Sequence, residues 1–337
     1  MSSRFKVGVI GLGSMGANHA RVYASRDDVD LVALCDADSK VAAYVGHKHR
    51  TAHFSDVQVM LERSGVDAVS VAVPTSQHRE VARQVIAAGV HVLLEKPIAA
   101  NVEEGRDIIA LARAKGVKLL IGHIERYNPA VRELSARLGQ GQLGQMYRIE
   151  VDRVGPFPTR IFDVGVILDL AAHDLDIIGS LVGDRPTRLY CQTQQLLHQT
   201  HEDVMVGLLN YPGGILAVLN INWTSPVKRR QLRVYGQRGM FSVNYITQDL
   251  FLYENPSPQE QEWGGPLGIE EGNMIKFHLA RQEPLVKEID FFLNAIRTDA
   301  DLSETMTSGL NALRLSQLLV DSAHLEKSID LTQERWD

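Results

Sequence analysis

An aspartate and a histidine stand four residues apart in "ILDLAAHDLD", residues 167–176, as Asp169 and His173. Helical spacing puts such a pair on one face, and burying either group without a partner costs several kcal/mol. A histidine can take the proton of a hydroxyl group, and a neighbouring carboxylate can orient it or join it at a substrate. Upstream, "LLEKPIA", residues 93–99, carries Glu95, Lys96 and Pro97 at the end of a strand-like run. Ligands of open α/β sheets gather beyond the carboxyl ends of the strands. Lys96 is therefore well placed to face a substrate. These residues leave open whether His173 or Lys96 is the base. The bond before Pro97 is one of the few that can be cis.

Oxidising a hydroxyl needs an acceptor for the hydride, and the N-terminus carries a fingerprint for one. "GLGSMG" places Gly11, Gly13 and Gly16 after the strand-like "FKVGVIG" and at the start of a helical stretch, with Ser14 and Met15 in the same loop. The first glycine permits a tight turn, the second lets a pyrophosphate approach the backbone, and the third lets helix and strand pack closely. Asp36 ends the next strand-like run, about twenty residues further on, where a carboxylate hydrogen-bonds an adenosine ribose. That carboxylate repels a 2′-phosphate, so NAD is expected rather than NADP. No histidine or cysteine set has metal-ligand spacing, and "HQTHE" at 198–202 reads as a hairpin end, so no metal is expected.

The elements that must position these groups fall into two blocks. Apolar runs "VDLVALCD", "VDAVSVAV", "VHVLLEK" and "VKLLIG" alternate with amphipathic helical stretches up to Gly122, the pattern of a parallel sheet covered on both faces. Beyond it, "GQMYRIEVDRVG", "RPTRLYCQTQQLL", "HEDVMVGLLNY", "GGILAVLNINWTS", "RRQLRVYGQRGMFSVNY" and "DLFLYEN" mostly follow one another without helices, as in an antiparallel sheet. Two helical stretches close the chain, and "NPSPQEQEWGGPLG" reads as a polar surface loop. A division near residue 122 follows, giving domains 1–122 and 123–337.

The whole pattern resembles the glucose–fructose oxidoreductase / inositol dehydrogenase family: "GLGSMGANHA", Asp36, "VAVPTSQH", "EKPIA", then "ILDLAAHDLD" leading into an antiparallel sheet. The resemblance implies an α/β protein, with an N-terminal Rossmann dinucleotide-binding domain and a C-terminal α+β domain holding a large, mainly antiparallel open sheet. It implies that Lys96, Asp169 and His173 form the catalytic set. It puts nicotinamide-side contacts at Pro74, Thr75 and His78, with Glu95 and Lys96 beside them. It also implies a homodimer or homotetramer through the C-terminal sheet.

Two further stretches, "GHIERYNPAV" (122–131) and "RVGPFPTRIFDVGVILDLAAHDLDI" (153–177), resemble a branch of that family that oxidises nucleotide sugars. A diphosphate must meet cations or backbone donors. Arg153 and Arg160 flank the loop before the Asp169–His173 helix. Alternation along "KRRQLRVY" gathers Arg229, Gln231, Arg233 and Tyr235 on one strand face, either for a diphosphate or for a subunit contact. Tyr127 and Asn128 line a sugar pocket or cap a helix start. The rival readings are a dehydrogenase of a UDP-sugar uronate, one of a free polyol, an NAD-dependent glycosidase, and a non-catalytic NAD sensor. The uronate would ask for one more cation near the sugar, which the sequence does not place. The sensor would lack the lysine or the histidine, and both are present.

Composition narrows the setting. The 337 residues allow two domains, with 45% hydrophobic and 23% charged residues and a net charge of −6. No general basic field for nucleic acid or membrane exists. Cys35 and Cys191 are far apart and form no CxxC, which argues for a reducing compartment. A strand from residue 5 leaves no room for a signal peptide, and no run approaches a membrane span. A cytoplasmic protein is expected.

Overall fold

The computed structural model describes residues 4–158, 164–256 and 271–336. Two compact units emerge, one from residues up to 124 with 285–314, the other from 125–284 with 315 onward.

The first unit alternates strand and helix: β1 (Phe5–Ile10), α1 (Ser14–Ala24), β2 (Val29–Cys35), α2 (Ser39–His49), β3 (Ala52–Phe54), α3 (Val57–Ser64), β4 (Ala68–Val71), α4 (His78–Ala87), β5 (His91–Glu95), α5 (Val102–Lys115) and β6 (Leu119–Gly122). The six strands are parallel in the order β3-β2-β1-β4-β5-β6. That is a doubly wound sheet with its switch point between β1 and β4. The central strands are mostly apolar because both faces are covered: Val7, Val9, Leu93 and Leu94 have no exposed surface.

The first unit runs to residue 124, beside the division expected near residue 122, and also takes in residues 285–314. Helix α8 (Pro284–Arg297) and the first half of α9 (Ser303–Leu325) belong to the first unit. The reason is apolar: Leu285, Ile289, Phe292, Leu293 and Leu302 join Val7, Val9, Tyr23 and Leu34 in one core. A helix stripe at positions i, i+4, i+7 and i+8 needs such a floor.

The second unit holds α6 (Pro129–Gly139), β7 (Met146–Val154), α7 (Ala172–Val182), β8 (Arg188–Gln194), β9 (Val204–Asn210), β10 (Leu216–Asn222), β11 (Arg229–Gly236), β12 (Gly239–Asn244), β13 (Asp249–Glu254), β14 (Met274–Phe277) and β15 (Ile329–Asp330). Its nine-stranded sheet runs β14-β13-β12-β11-β7-β10-β9-β8-β15. Every pairing is antiparallel except β7 with β10. The inner face carries Ile149, Val151, Leu219, Leu232, Val234 and Phe241, packed with Leu134, Leu175, Ile178 and Leu319 from α6, α7 and α9. Among the described residues the outer face keeps apolar side chains exposed, including Val206 and Leu208. The loop expected at 255–268 lies mostly outside the described residues. No described helix is long and apolar enough to cross a membrane.

Candidate active-site residues

The glycine loop has the geometry its sequence demands. Gly11 has φ +83°, and a Cβ on Gly16 would collide with the Gly11 carbonyl oxygen, so α1 can close on β1 only without a side chain there. A Cβ on Gly13 would meet no protein atom within 4 Å. Helices α2, α3, α5 and α6 are each capped by a side chain, from Asp38, Asp56, Asn101 and Asn128, but the Gly13 start of α1 has none. Its first-turn N–H groups are thus left to an anion, with the helix dipole behind them. Asp36 follows β2, where its carboxylate accepts from the Leu12 N–H at 2.7 Å and the Asp38 N–H at 2.9 Å. Each oxygen retains acceptor capacity for a ribose hydroxyl. This cradle fits a dinucleotide.

Gly13→Ala separates fold from cofactor. Because the added methyl meets no protein atom, the melting temperature is expected to stay unchanged. NAD affinity, measured by calorimetric titration, is expected to fall about tenfold or more, equivalent to about 1.4 kcal/mol. Unaltered affinity would place the pyrophosphate elsewhere.

Beyond β4, Pro74 opens a short 3-10 turn, Thr75–Gln77, that leads into α4. Pro74 is exposed and Thr75 half-buried. His78 is placed differently from its expected role. It is buried, with Nδ1 2.8 Å from the Pro97 carbonyl and Nε2 3.0 Å from the Val73 carbonyl. Burial outweighs these bonds and pulls its pKa below the ordinary histidine value, so a neutral ring satisfies one carbonyl at a time. Its part is to tie the β4 loop to the Glu95–Pro97 loop rather than to face a ligand. The Lys96–Pro97 peptide is cis.

Glu95 also points inward. Its Oε1 accepts from His19 Nε2 at 2.9 Å, and its Oε2 lies 3.3 Å from the Lys96 N–H. Glu288 of α8 completes a buried trio whose donor atoms lie within 4.8 Å of one another, and both its oxygens lack a hydrogen-bond partner among the described residues. Sequence reading missed it, although a glutamate between Leu285 and Ile289 on an apolar stripe was the signal. Burial, with Glu95 adding to it, pushes the Glu288 carboxyl well above the ordinary carboxylate range.

The consequence for stability has a definite sign. Below the unfolded pKa both states are protonated, and Glu288 costs the fold nothing. Above it the unfolded chain ionises first, so stability falls with rising pH until the folded carboxyl ionises too. Glu288→Gln mimics the protonated acid. It is expected to raise the melting temperature at about pH 8, by roughly 2–4 °C for each kcal/mol relieved. The gap should close as the pH drops into the carboxylate range. Parallel melting curves for both proteins across that range would contradict the assignment.

In the second unit the helix carrying the acid and the histidine starts with a wide turn. Residues Ile167–Ala171 are π-helical and run into α7, so Asp169 sits in the π turn and His173 just beyond it, both half-buried. Such turns are frequent at functional sites. Glu202 pins this start: its carboxylate accepts from the Ile167 N–H at 3.1 Å and its carbonyl from the Val166 N–H at 3.0 Å. The "HQTHE" stretch is a loop end held by the Asp203 carboxylate, which accepts from the backbone of residues 196, 197 and 198.

Three expected substrate residues turn out otherwise. Arg153 is 1% exposed, and it donates from Nε and Nη2 to Asp174 at 2.6 and 3.0 Å and from Nη1 to Glu125 at 3.1 Å. Burial opposes its charge, but the two carboxylates outweigh burial and raise its pKa. No donor fork remains for a phosphate. Asn128 is buried and caps α6: Oδ1 accepts from the Ala130 N–H, and Nδ2 donates to the Tyr245 carbonyl. Tyr127 is buried in the preceding 3-10 turn. A parallel pair holds the next helical turn, with Arg126 forked onto Asp176 at 2.6 and 2.9 Å.

Arg229 lies on the outer sheet face, 3.8 Å from Asp152. Its neighbours there are already paired: Arg233 bonds Glu150 and Asp152, and the Tyr235 hydroxyl donates to Glu150 at 2.7 Å. The alternation was read correctly, but the inner face belongs to Arg230, which lies opposite Arg153 in the β11–β7 register. Arg160 lies outside the described residues.

Residues 5–123 match the profile of an oxidoreductase family with an NAD-binding Rossmann fold, and residues 131–242 match the GFO/IDH/MocA C-terminal domain. The chain is 32% identical over 291 residues to UDP-N-acetylglucosamine 3-dehydrogenase of Acidithiobacillus ferrooxidans, covering 86% of this chain and 88% of that protein. A crystal structure of that enzyme superposes with a TM-score of 0.84, covering 96% of this chain and 99% of that one at 29% identity. Inositol 2-dehydrogenase of Rhizobium meliloti is 23% identical across 98% of this chain and all of that protein. The fold is shared with an Agrobacterium radiobacter oxidoreductase solved with NAD+, L-tartaric acid and magnesium, at a TM-score of 0.85 and 17% identity over 99% of this chain and all of that one.

Proposed function

Because the chain belongs to the GFO/IDH/MocA oxidoreductase family and its first unit is an NAD-binding domain, we propose that it oxidises C3 of UDP-N-acetylglucosamine to the 3-keto sugar. The observation that supports this most is the 32% identity over most of the chain to an enzyme of that name. The reaction removes a hydride from the carbon and a proton from its hydroxyl, leaving a ketone suited to amination. NAD, when bound, supplies the hydride acceptor.

The remaining work falls to side chains. His173 takes the hydroxyl proton, and Asp169, one turn earlier, orients the imidazole. Lys96 stabilises the developing alkoxide. Gly11, Gly13, Gly16 and Asp36 hold the dinucleotide, and Glu95 and His78 set the course of the Lys96 loop from behind. The outer face of the nine-stranded sheet, with Val206 and Leu208 exposed, supports a homodimer or homotetramer, to be read by sedimentation.

The test is nicotinamide absorbance in the near ultraviolet, with NAD and a panel of UDP-N-acetylglucosamine, its uronate, UDP-glucose, glucose and myo-inositol. NADH is expected with UDP-N-acetylglucosamine. A signal confined to myo-inositol would sink the nucleotide-sugar reading and favour the polyol reading that the Rhizobium meliloti relative represents.

A further inference from the structure

Arg230 has a geometry that the rest of its cluster does not explain. It stands on the inner face of β11, opposite Arg153 of β7, and the Tyr245 N–H bonds its carbonyl at 3.1 Å. Burial and the neighbouring Arg153 charge pull its pKa below the ordinary guanidinium value, against Glu125, Asp174 and Asp169, which favour its charge. Asp174 is engaged by both Nε and Nη2 of Arg153, and Glu125 takes the third Arg153 donor at 3.1 Å. Arg230 is left with a 3.8 Å approach to the same Glu125 oxygen, beyond hydrogen-bond length.

A guanidinium carries five N–H donors in a fixed fork. Those of Arg230 make no hydrogen bond among the described residues, although two-thirds of the side chain is covered. These donors are open to solvent rather than stranded, so an incoming anion can replace water at them. The third that remains exposed gives an incoming group access. Arg153 shows the contrasting case, with the same residue type one strand away and every carboxylate contact made.

We propose that Arg230 is the anion-recognition residue of the substrate site, taking an oxyanion of the sugar substrate on the Asp169 side of the second unit. This rests on the nucleotide-sugar reading above and adds the residue that would discriminate within it. The oxyanion comes from one of two sources, a phosphate of the nucleotide or a carboxylate on the sugar ring. Both match the bidentate fork of arginine, which lysine cannot reproduce. The uronate alternative called for one more cation near the sugar, and Arg230 is such a cation.

The experiment measures calorimetric binding of UDP, UDP-N-acetylglucosamine and its uronate to the NAD-loaded protein, with steady-state rates, for wild type, Arg230→Met and Arg230→Lys. NAD affinity and melting temperature report whether each variant is intact. Arg230→Met is expected to weaken binding about tenfold to a hundredfold, mainly through KM, with Arg230→Lys between it and wild type. Loss for UDP and both sugars identifies the phosphate. Loss for the uronate alone identifies the carboxylate. If the methionine variant does not fold, the lysine variant carries the test, since it keeps the charge beside Glu125 and loses only the fork. Unchanged binding of all three ligands by a folded variant overturns the inference while leaving UDP-sugar oxidation standing. A wild-type protein that binds none of them overturns the nucleotide-sugar reading too.

Discussion

His173→Ala is expected to lower kcat by about a hundredfold to ten-thousandfold, the usual loss when a positioned general base is removed. Affinity for NAD should be unchanged, because the glycine loop and Asp36 that hold it lie in the other unit. Lys96→Met is expected to lose kcat on a similar scale through lost stabilisation of the alkoxide. Steady-state kinetics with each variant, beside calorimetric titration of NAD, separates the two contributions. The split matters because Lys96 follows Glu95 directly, and Glu95 is bound to His19 at 2.9 Å. A variant at Lys96 that lost NAD affinity instead of kcat would reassign it to cofactor binding. A His173→Ala protein within about threefold of wild type would remove that residue from the chemistry.

Arg153→Met tests a structural claim of comparable size. Removing this guanidinium strands Asp174, which is wholly buried, and takes a donor from Glu125. Breaking a buried pair by deleting one partner costs about 3–5 kcal/mol. A change of that size should lower the melting temperature by roughly 6–20 °C, seen in thermal unfolding followed by circular dichroism. Had Arg153 bound substrate from a solvated position, the melting temperature would hold and KM alone would rise. That second pattern would contradict the buried network. Arg153→Met with Asp174→Leu should recover part of the loss, because an apolar pair of similar volume replaces a buried ion pair at little cost.

What the sequence discloses follows from the range of the interactions involved. The glycine loop, Asp36 and the alternating apolar runs are local: each is specified by neighbours within a turn or a strand, and each stands where periodicity puts it. The spacing of Asp169 and His173 is local too, although the wide π turn that begins this helix leaves no mark in the pattern. Arg153 was legible in principle. Ile149, Val151 and Arg153 alternate on one face of β7, so its parity with two buried residues pointed inward, but a charged residue at a strand end also suits a solvated loop. Arg229 and Arg230 differ by a single step: parity with Leu232 and Val234 turns Arg230 inward, and the register with β7 sets it opposite Arg153. The return of α8 to the first unit is a contact across more than half the chain, and no local pattern encodes it. Glu288 follows from that return, since a glutamate on an apolar stripe has meaning only once its floor is known.

The central claim, C3 oxidation of a nucleotide sugar with hydride transfer to NAD, is tested most directly with UDP-N-acetylglucosamine deuterated at C3. The account predicts that the deuterium appears on the nicotinamide ring of the reduced cofactor, read by proton NMR or mass spectrometry. Reduced cofactor that carries no deuterium, formed from the same labelled substrate, would contradict it.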